Sequence, residues 1–481
     1  MSSLEERSLI RSRGDAVPSP DRPDHLLEHL KARINDSLAD LNSATAEGFL
    51  SLVLELPPLP GHLPSLAGPQ FLFRHVHRAE QRLGYGIAQE WSAAGPERLA
   101  NLRAQALSLA SAWRQLDPDD TGFQGFAFLG FAARPTEDLD PSPNDLPNAL
   151  LRIPELALCT RRGRAVLVFT APLPTKRARL LLRWSALLDR LIPALATPTS
   201  RPQGPIFIRR HSEIPGASGW ERLLAKALDR IEAGELRKVV LARQLRIEGS
   251  RDFDLDRLLD ALGQAYPSCQ VLSIRHGTSH FVAATPERLL SLRGNRVEVD
   301  ALAGTTRRAV EAERDGALAQ EMRDSTKCLH EHELVIQAIR DALQGQARHI
   351  EVAPQPDIMR LSNVQHLWTR ISATFDRPTD VFTLAELLHP TPATNGQPRR
   401  RASAWLRHHD PLKRGWYTGA AGIIEPDLSG ELWVLLRCAD IQARTADLFA
   451  GGGIVQGSDP DQEWRETEHK LDAMLSALRL A

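Results

Sequence analysis

The stretch Asp447-Leu448-Phe449-Ala450-Gly451-Gly452-Gly453-Ile454-Val455-Gln456-Gly457-Ser458-Asp459-Pro460 decides how this chain is read. Its three consecutive glycines leave bare backbone amides where a ligand can approach closely, because glycine has no Cβ to block it. A helix follows. Asp459 fits its N-cap, Pro460 its first position and Gln462 the reaching-back residue of a capping box. At about 100° per residue, Trp464, Leu471, Met474, Leu475 and Leu478 form one apolar face. Glu463, Glu466 and Lys470 share a stripe bordering that face. Alone, the stripe reads as a half-solvated charged edge. Directly after a glycine turn, it also suits a cation and something bound to that cation.

The chain's 481 residues suffice for one large or two medium domains. Lys and Arg number 59 against 60 Asp and Glu, a net charge of -1, which points away from a polyanion partner such as nucleic acid. No apolar run approaches the roughly 18 residues of a membrane span, and residues 1–24 lack the apolar core of a signal peptide. Cys159, Cys269, Cys328 and Cys438 are scattered without metal or redox spacing, so a reducing cytoplasm is expected.

Residues 1–24, rich in Ser, Pro, Arg and Asp, read as disordered. Leu26 to Leu41 reads as an amphipathic helix. Apolar runs at Phe49 to Leu54 and Ala165 to Phe169 read as strands, and Pro135 to Pro147 as a loop. Prolines between Ala196 and Ser218 mark a connection between an N-terminal part, 25–205, and a second part, 206–481. In the second part, Trp220 to Ala233 reads as a helix and Arg237 to Arg243 as a strand. His280 to Ala284 is a strand entering Thr285-Pro286-Glu287. The patterns then give one long helix from about Ala317 to Leu343 and one strand from Glu431 to Ile441, with Arg437 mid-strand.

Several polar groups stand on these apolar elements. Glu331 shares a stripe with Cys328, Val335, Ala338 and Ala342, while Leu318, Met322, Leu329, Ile336 and Leu343 form another. A helix apolar on two sides is buried, so its carboxylate needs a cation or donors. Arg437 poses the converse question, and an internal ion pair answers either one singly. His330 and His332 flank Glu331, but the spacing is not H-E-x-x-H and zinc is set aside. Lys238 sits on a core strand, where desolvation lowers a lysine pKa. Glu287 follows a proline at a strand break.

Lys238-Val239-Val240-Leu241-Ala242-Arg243, Thr285-Pro286-Glu287-Arg288-Leu289, Ala303-Gly304-Thr305, Glu331-His332, Leu388-His389-Pro390-Thr391-Pro392-Ala393, Arg414-Gly415-Trp416-Tyr417-Thr418-Gly419 and the glycine-acid stretch occur in that order. As an ordered set, from about Trp220 onward, they resemble the chorismate-utilising enzymes, and among these the isochorismate synthases. The resemblance implies an α+β layered fold, anthranilate-synthase-like, with two β-sheets flanked by helices. It implies chorismate as substrate and Mg²⁺ as cofactor, held by Glu331, Glu463 and Glu466. Arg437 and Tyr417, with amides near Gly451 and Gly452, resemble the enolpyruvyl carboxylate site. Gly304 and Thr305 resemble the segment along the ring, His389 and Ala393 belong to a substrate-binding motif, and Lys470 supports the metal end. Lys238 matches the base that activates water, and Glu287 the acid that protonates the departing hydroxyl.

Glutamine commonly replaces Lys238 in relatives that use ammonia, and a nucleophilic lysine often stands where this chain has Ala303. Both differences point to water. Cys328, Thr394-Asn395 and Asp410 depart from the family pattern. A salicylate synthase, which goes on to eliminate pyruvate, shares these motifs; an ammonia-using relative and a non-catalytic chorismate binder fit them less well. The chain is expected to act as a monomer or weak homodimer, without nucleic acid or membrane.

Overall fold

The computed structural model describes residues 23–39, 44–58, 70–136, 146–196 and 204–481. The expected disorder of residues 1–24 therefore lies almost entirely outside the described residues, as does most of the loop from Pro135 to Pro147.

Two sheets, of 13 and 10 strands among the described residues, lie face to face. Alternation within single strands shows why. In the strand Arg164–Thr175, Leu167 and Phe169 face one apolar cluster, and Val166 and Val168 face another. In Ala127–Phe131, Ala127, Leu129 and Phe131 point one way and Phe128 the other. The shared cluster, with Phe71, Phe128, Phe281, Trp416 and Trp433, fills the space between the sheets. The outer face of each sheet is covered by helices, so both faces are buried and the strands read as unbroken apolar runs. This is the layered α+β fold that the motifs implied.

Both halves of the chain contribute to both sheets. The strand Gln270–His276 pairs antiparallel with Gln70–His75 in the larger sheet, and Ala420–Ile424 with Ala127–Phe131 in the smaller. The expected connection from Ala196 to Ser218 contains a strand, Ile208–Ile214, hydrogen-bonded to Lys238–Gly249. Residues 197–203 lie outside the described residues.

Three expectations are corrected. The glycine run is no turn: Gly451, Gly452 and Gly453 lie within the strand Thr445–Ile454, opposite Ala242, Leu241 and Val240. The long helix is two, Ala312–Asp324 and Thr326–Leu343, because Ser325 ends the first and caps the second by accepting from the Cys328 amide. Leu329, expected on an apolar face, is exposed as a result. Finally, residues 431–441 form two strands, Gly430–Val434 and Cys438–Gln442, in different sheets.

Candidate active site

The site begins where the sheets exchange strands. Ser279–Thr285 belongs to the larger sheet and Arg288–Arg293 to the smaller, so the chain crosses between them at Pro286 and Glu287. It crosses back between Val434 and Cys438, carrying Arg437. The crossings clasp each other. The Glu287 carbonyl accepts from the Val434 amide (2.9 Å) and the Arg437 carbonyl from the Ala284 amide (3.1 Å). Arg437 has φ +49°, a left-handed conformation costing a non-glycine residue about 1–3 kcal/mol. No glycine or proline in Val434-Leu435-Leu436-Arg437 signals the break, which is why the sequence pattern reads straight through it.

These crossings hold two groups in unusual states. Burial pushes the Glu287 carboxyl up to about 7, outweighing the nearby positive charges of Lys238 and Arg437. Burial also lowers the pKa of the Arg437 guanidinium. Its Nη2 lies 2.8 Å from Nε2 of His366, whose own pKa burial and Arg437 drive well below the usual range. His366 is therefore neutral and accepts from Arg437. Its Nδ1 lies 3.1 Å from Thr305 Oγ1 and 3.3 Å from the Gly304 carbonyl, which places the ring proton on Nδ1. No carboxylate stands within ion-pair distance of Arg437 among the described residues. A desolvated guanidinium in that position is suited to a ligand carboxylate. His366 escaped the sequence reading because a histidine in Val364-Gln365-His366-Leu367-Trp368 looks like an ordinary strand residue.

Helix Pro460–Leu478 supplies the opposite wall. Asp459 caps it by accepting from the Gln462 amide (2.9 Å), as expected, while the Gln462 side chain lines the cleft instead of closing a capping box. Leu471, Met474, Leu475 and Leu478 are buried, each contributing about 1.5–3 kcal/mol, so the acidic residues start from a firmly anchored helix. Arg243 fixes its register. The guanidinium stacks 3.4 Å from the Trp464 ring, bonds Thr467 Oγ1 (3.1 Å) and pairs with Glu468 (2.7 Å).

Each carboxylate here has a lysine. Lys238 Nζ meets Glu331 Oε1 at 2.9 Å, Lys327 Nζ meets Glu463 Oε1 at 2.8 Å, and Lys470 Nζ meets Glu466 Oε1 at 2.7 Å. Lys470 also donates to the Gly451 carbonyl (2.8 Å), and Ser458 Oγ to Glu463 Oε1 (2.8 Å). Burial alone would raise the Glu331 pKa, but the charge and hydrogen bond of Lys238, with Lys470 and Lys327, hold it below the usual range. Glu463 is raised, first by burial and then by the negative charge of Glu466.

The glycines now find their reason. A Cβ at Gly453 would overlap Glu331 Oε1 and come within 2.7 Å of Lys238 Cε. One at Gly451 would come within 2.7 Å of the Tyr417 hydroxyl, and one at Gly452 within 3.1 Å of Glu463 Oε2. Side chains crowd Gly453, whereas at Gly451 the nearest obstacle is the Leu241 backbone carbonyl, at 2.6 Å, and at Gly452 only the Glu463 carboxylate would have to shift slightly. Gly304, at φ +73° on a bulge, likewise makes room for Cys328.

A cleft of about 600 Å³ opens over this wall, lined by Thr305, Lys327, Cys328, Glu331, Gly453, Glu463 and Glu466 among others. Lys238 reaches it through Glu331. Tyr417 is buried and stacked on Phe449 (5.4 Å), and burial pushes its phenol well up. His389 and Ala393, like Glu287, Tyr417, Arg437 and Lys470, are not among the residues that line this cleft. The His389 imidazole, driven by burial down to about 3, donates Nε2–H to the Thr418 carbonyl (2.8 Å) and meets Phe131 edge-on. Ala393 packs against the outer core of the smaller sheet. His330 is exposed and His332 buried against Thr369, so the pair addresses no common ion.

Residues 38–479 match the chorismate binding enzyme family. The chain belongs to that family. This chorismate binding enzyme is 37% identical over 298 residues to the salicylate biosynthesis isochorismate synthase of Pseudomonas aeruginosa, covering 61% of each protein. It is 35% identical over 259 residues to isochorismate synthase MenF of Bacillus subtilis, covering 54% of this chain and 55% of that one. The matched segments thus span under two thirds of these relatives' length. Its fold overlays the menaquinone-specific isochorismate synthase MenF of Escherichia coli with a TM-score of 0.75 and 25% identity, across 94% of this chain and 98% of the other.

Proposed function

We propose that this protein is a Mg²⁺-dependent isochorismate synthase, adding water at C2 of chorismate as the C4 hydroxyl leaves. The observation that carries this reading is Arg437: a buried guanidinium, held by a neutral imidazole beside a carboxyl pushed up to about 7 and with no carboxylate in ion-pair reach among the described residues, suits one substrate carboxylate. The relatives named isochorismate synthases support it.

Among the described residues no three His, Cys, Asp or Glu groups gather closely enough to form a closed cage. Mg²⁺ does not require one, since it keeps several waters and takes one or two carboxylates plus ligand oxygens. Hard oxygens on Glu331, Glu463 and Glu466 suit it, one or two of them directly and the rest through its waters, and the repulsion of Glu463 by Glu466 is what a cation would relieve. When bound, Mg²⁺ would anchor and polarise the ring carboxylate. The other steps fall to side chains. Arg437 and Tyr417 fix the enolpyruvyl carboxylate. Lys238 takes a proton from the attacking water; its pair with Glu331 stands against this and has to open in the loaded site. Glu287 delivers a proton to the departing hydroxyl, for which a pKa near 7 is well matched. Water enters, water leaves, and the reaction is reversible.

A cytoplasmic setting is supported by four free cysteines. No helix among the described residues is long and apolar enough to cross a membrane.

Incubating the pure protein with chorismate and Mg²⁺ tests the reading. The expected result is a mixture of chorismate and isochorismate approached from either side, without salicylate or pyruvate. Stoichiometric pyruvate from the enzyme alone would make it a salicylate synthase.

A further inference from the structure

Lys327 has a task that the reaction does not give it. It is the second residue of helix Thr326–Leu343, where a cation faces the positive end of the helix dipole and is disfavoured. The compensation comes from across the cleft. Its ammonium holds Glu463 Oε1 at 2.8 Å, and the charges of Glu463, Glu331 and Glu466 all stabilise it. With Ser458 on the same oxygen, Oε1 of Glu463 is engaged by protein donors.

Three carboxylates, Glu331, Glu463 and Glu466, face three ammoniums, Lys238, Lys327 and Lys470, and their charges cancel. The further cations of the lining, Arg307 and Arg465, are exposed at the rim. Lys238 and Lys470 have other duties, one with the reacting water and one on the Gly451 carbonyl. Lys327 makes no other described contact.

We infer that Lys327 is a built-in counter-cation that substitutes for the metal on Glu463, keeps the wall neutral, and thereby sets the Mg²⁺ affinity of the empty enzyme low. The inference rests on the proposed isochorismate synthase reading. A neutral wall attracts a lone divalent cation weakly, whereas a divalent cation with a dicarboxylate ligand adds no net charge. Metal and chorismate therefore bind as a pair, each strengthening the other. Removing Lys327 leaves the wall with one uncompensated negative charge and weakens that mutual dependence.

Titration calorimetry with MgCl₂ on the full chain, without and with chorismate, tests this for wild type, Lys327→Met, Lys327→Arg and Glu466→Gln. Lys327→Met should bind Mg²⁺ alone on the order of tenfold tighter, as expected for removing one charge a few ångströms away. Its gain in affinity on adding chorismate should shrink by a similar factor. Lys327→Arg, which keeps the charge, should stay near wild type and confirms that charge is the cause. Thermal scans without metal should show Lys327→Met folded but less stable, with a larger upward shift on adding Mg²⁺. Unchanged or weaker binding in Lys327→Met, while wild type binds Mg²⁺ and Glu466→Gln loses it, would overturn the inference and leave the proposed function standing. If wild type bound no Mg²⁺ even with chorismate, the metal reading would fall, and the inference with it.

Discussion

The two ends of the site solve the problem of buried charge in opposite ways. At the acidic wall every carboxylate meets an ammonium at 2.7–2.9 Å, so the protein alone satisfies its charges. At the strand crossings Arg437 has, among the described residues, a neutral imidazole and no carboxylate partner, and burial pushes the Glu287 carboxyl up to about 7, so that below that pH it keeps its proton. An ion pair is complete without a ligand and opens to admit one; an unmatched charge waits for one. On the proposed function, the wall is the end that would exchange cations and the crossings the end that would take a substrate anion.

Substitutions at the two ends should therefore have different consequences. The largest losses should come from the proton-handling pair. Lys238→Ala and Glu287→Gln are each expected to lower kcat by at least about 100-fold, typical of general acid–base loss, with chorismate binding retained because other groups hold its carboxylates. Steady-state kinetics with equilibrium binding checks this. If Lys238→Ala kept most of its turnover, the base would lie elsewhere and the argument for water over ammonia would weaken.

Arg437→Lys comes next. A lysine point charge cannot reproduce a two-pronged hold on a carboxylate, so kcat/KM should fall by about 2–3 kcal/mol, or roughly 30- to 150-fold. Near-normal kinetics would mean that Arg437 serves only His366 and the fold. At the wall, Glu466→Gln should be folded yet inactive at ordinary Mg²⁺. Full activity of EDTA-treated wild type would remove the metal from the account.

A further expectation, on stability instead of turnover, is a pH dependence. The folded pKa of Glu287, about 7, is raised above the unfolded value near 4.5. Its contribution is thus fully present below the unfolded pKa and is lost as pH rises through about 7. Relative to wild type, Glu287→Gln should gain up to about 3 kcal/mol of stability between pH 4 and pH 8, measured by urea unfolding. The same titration should make wild-type kcat fall as pH rises above about 7. A flat difference would show Glu287 to be solvated and the crossings wetter than their packing implies.

Chemistry-bearing residues were legible in the sequence because their surroundings were wrong for them. Glu331 on a two-faced apolar helix, Arg437 in an apolar run and Lys238 on a core strand each declared a buried charge, and the order of short motifs implied the family. The cap at Asp459 and the apolar face of the last helix were legible too, because those signals are local. What sequence could not decide was who meets whom. Nothing local indicated that Glu331 would take Lys238 while Arg437 would be left to His366, or that the three glycines would stand against Tyr417, Glu463 and Lys238. Nor did it reveal that residues 431–441 would change sheets at Arg437, since strand periodicity is the same on either side of the break. Hydrophobic period and capping depend on neighbours within a few residues, so the sequence alone determined them. Charge partnership and strand crossing depend on which distant surfaces pack together, and only the tertiary structure decided those.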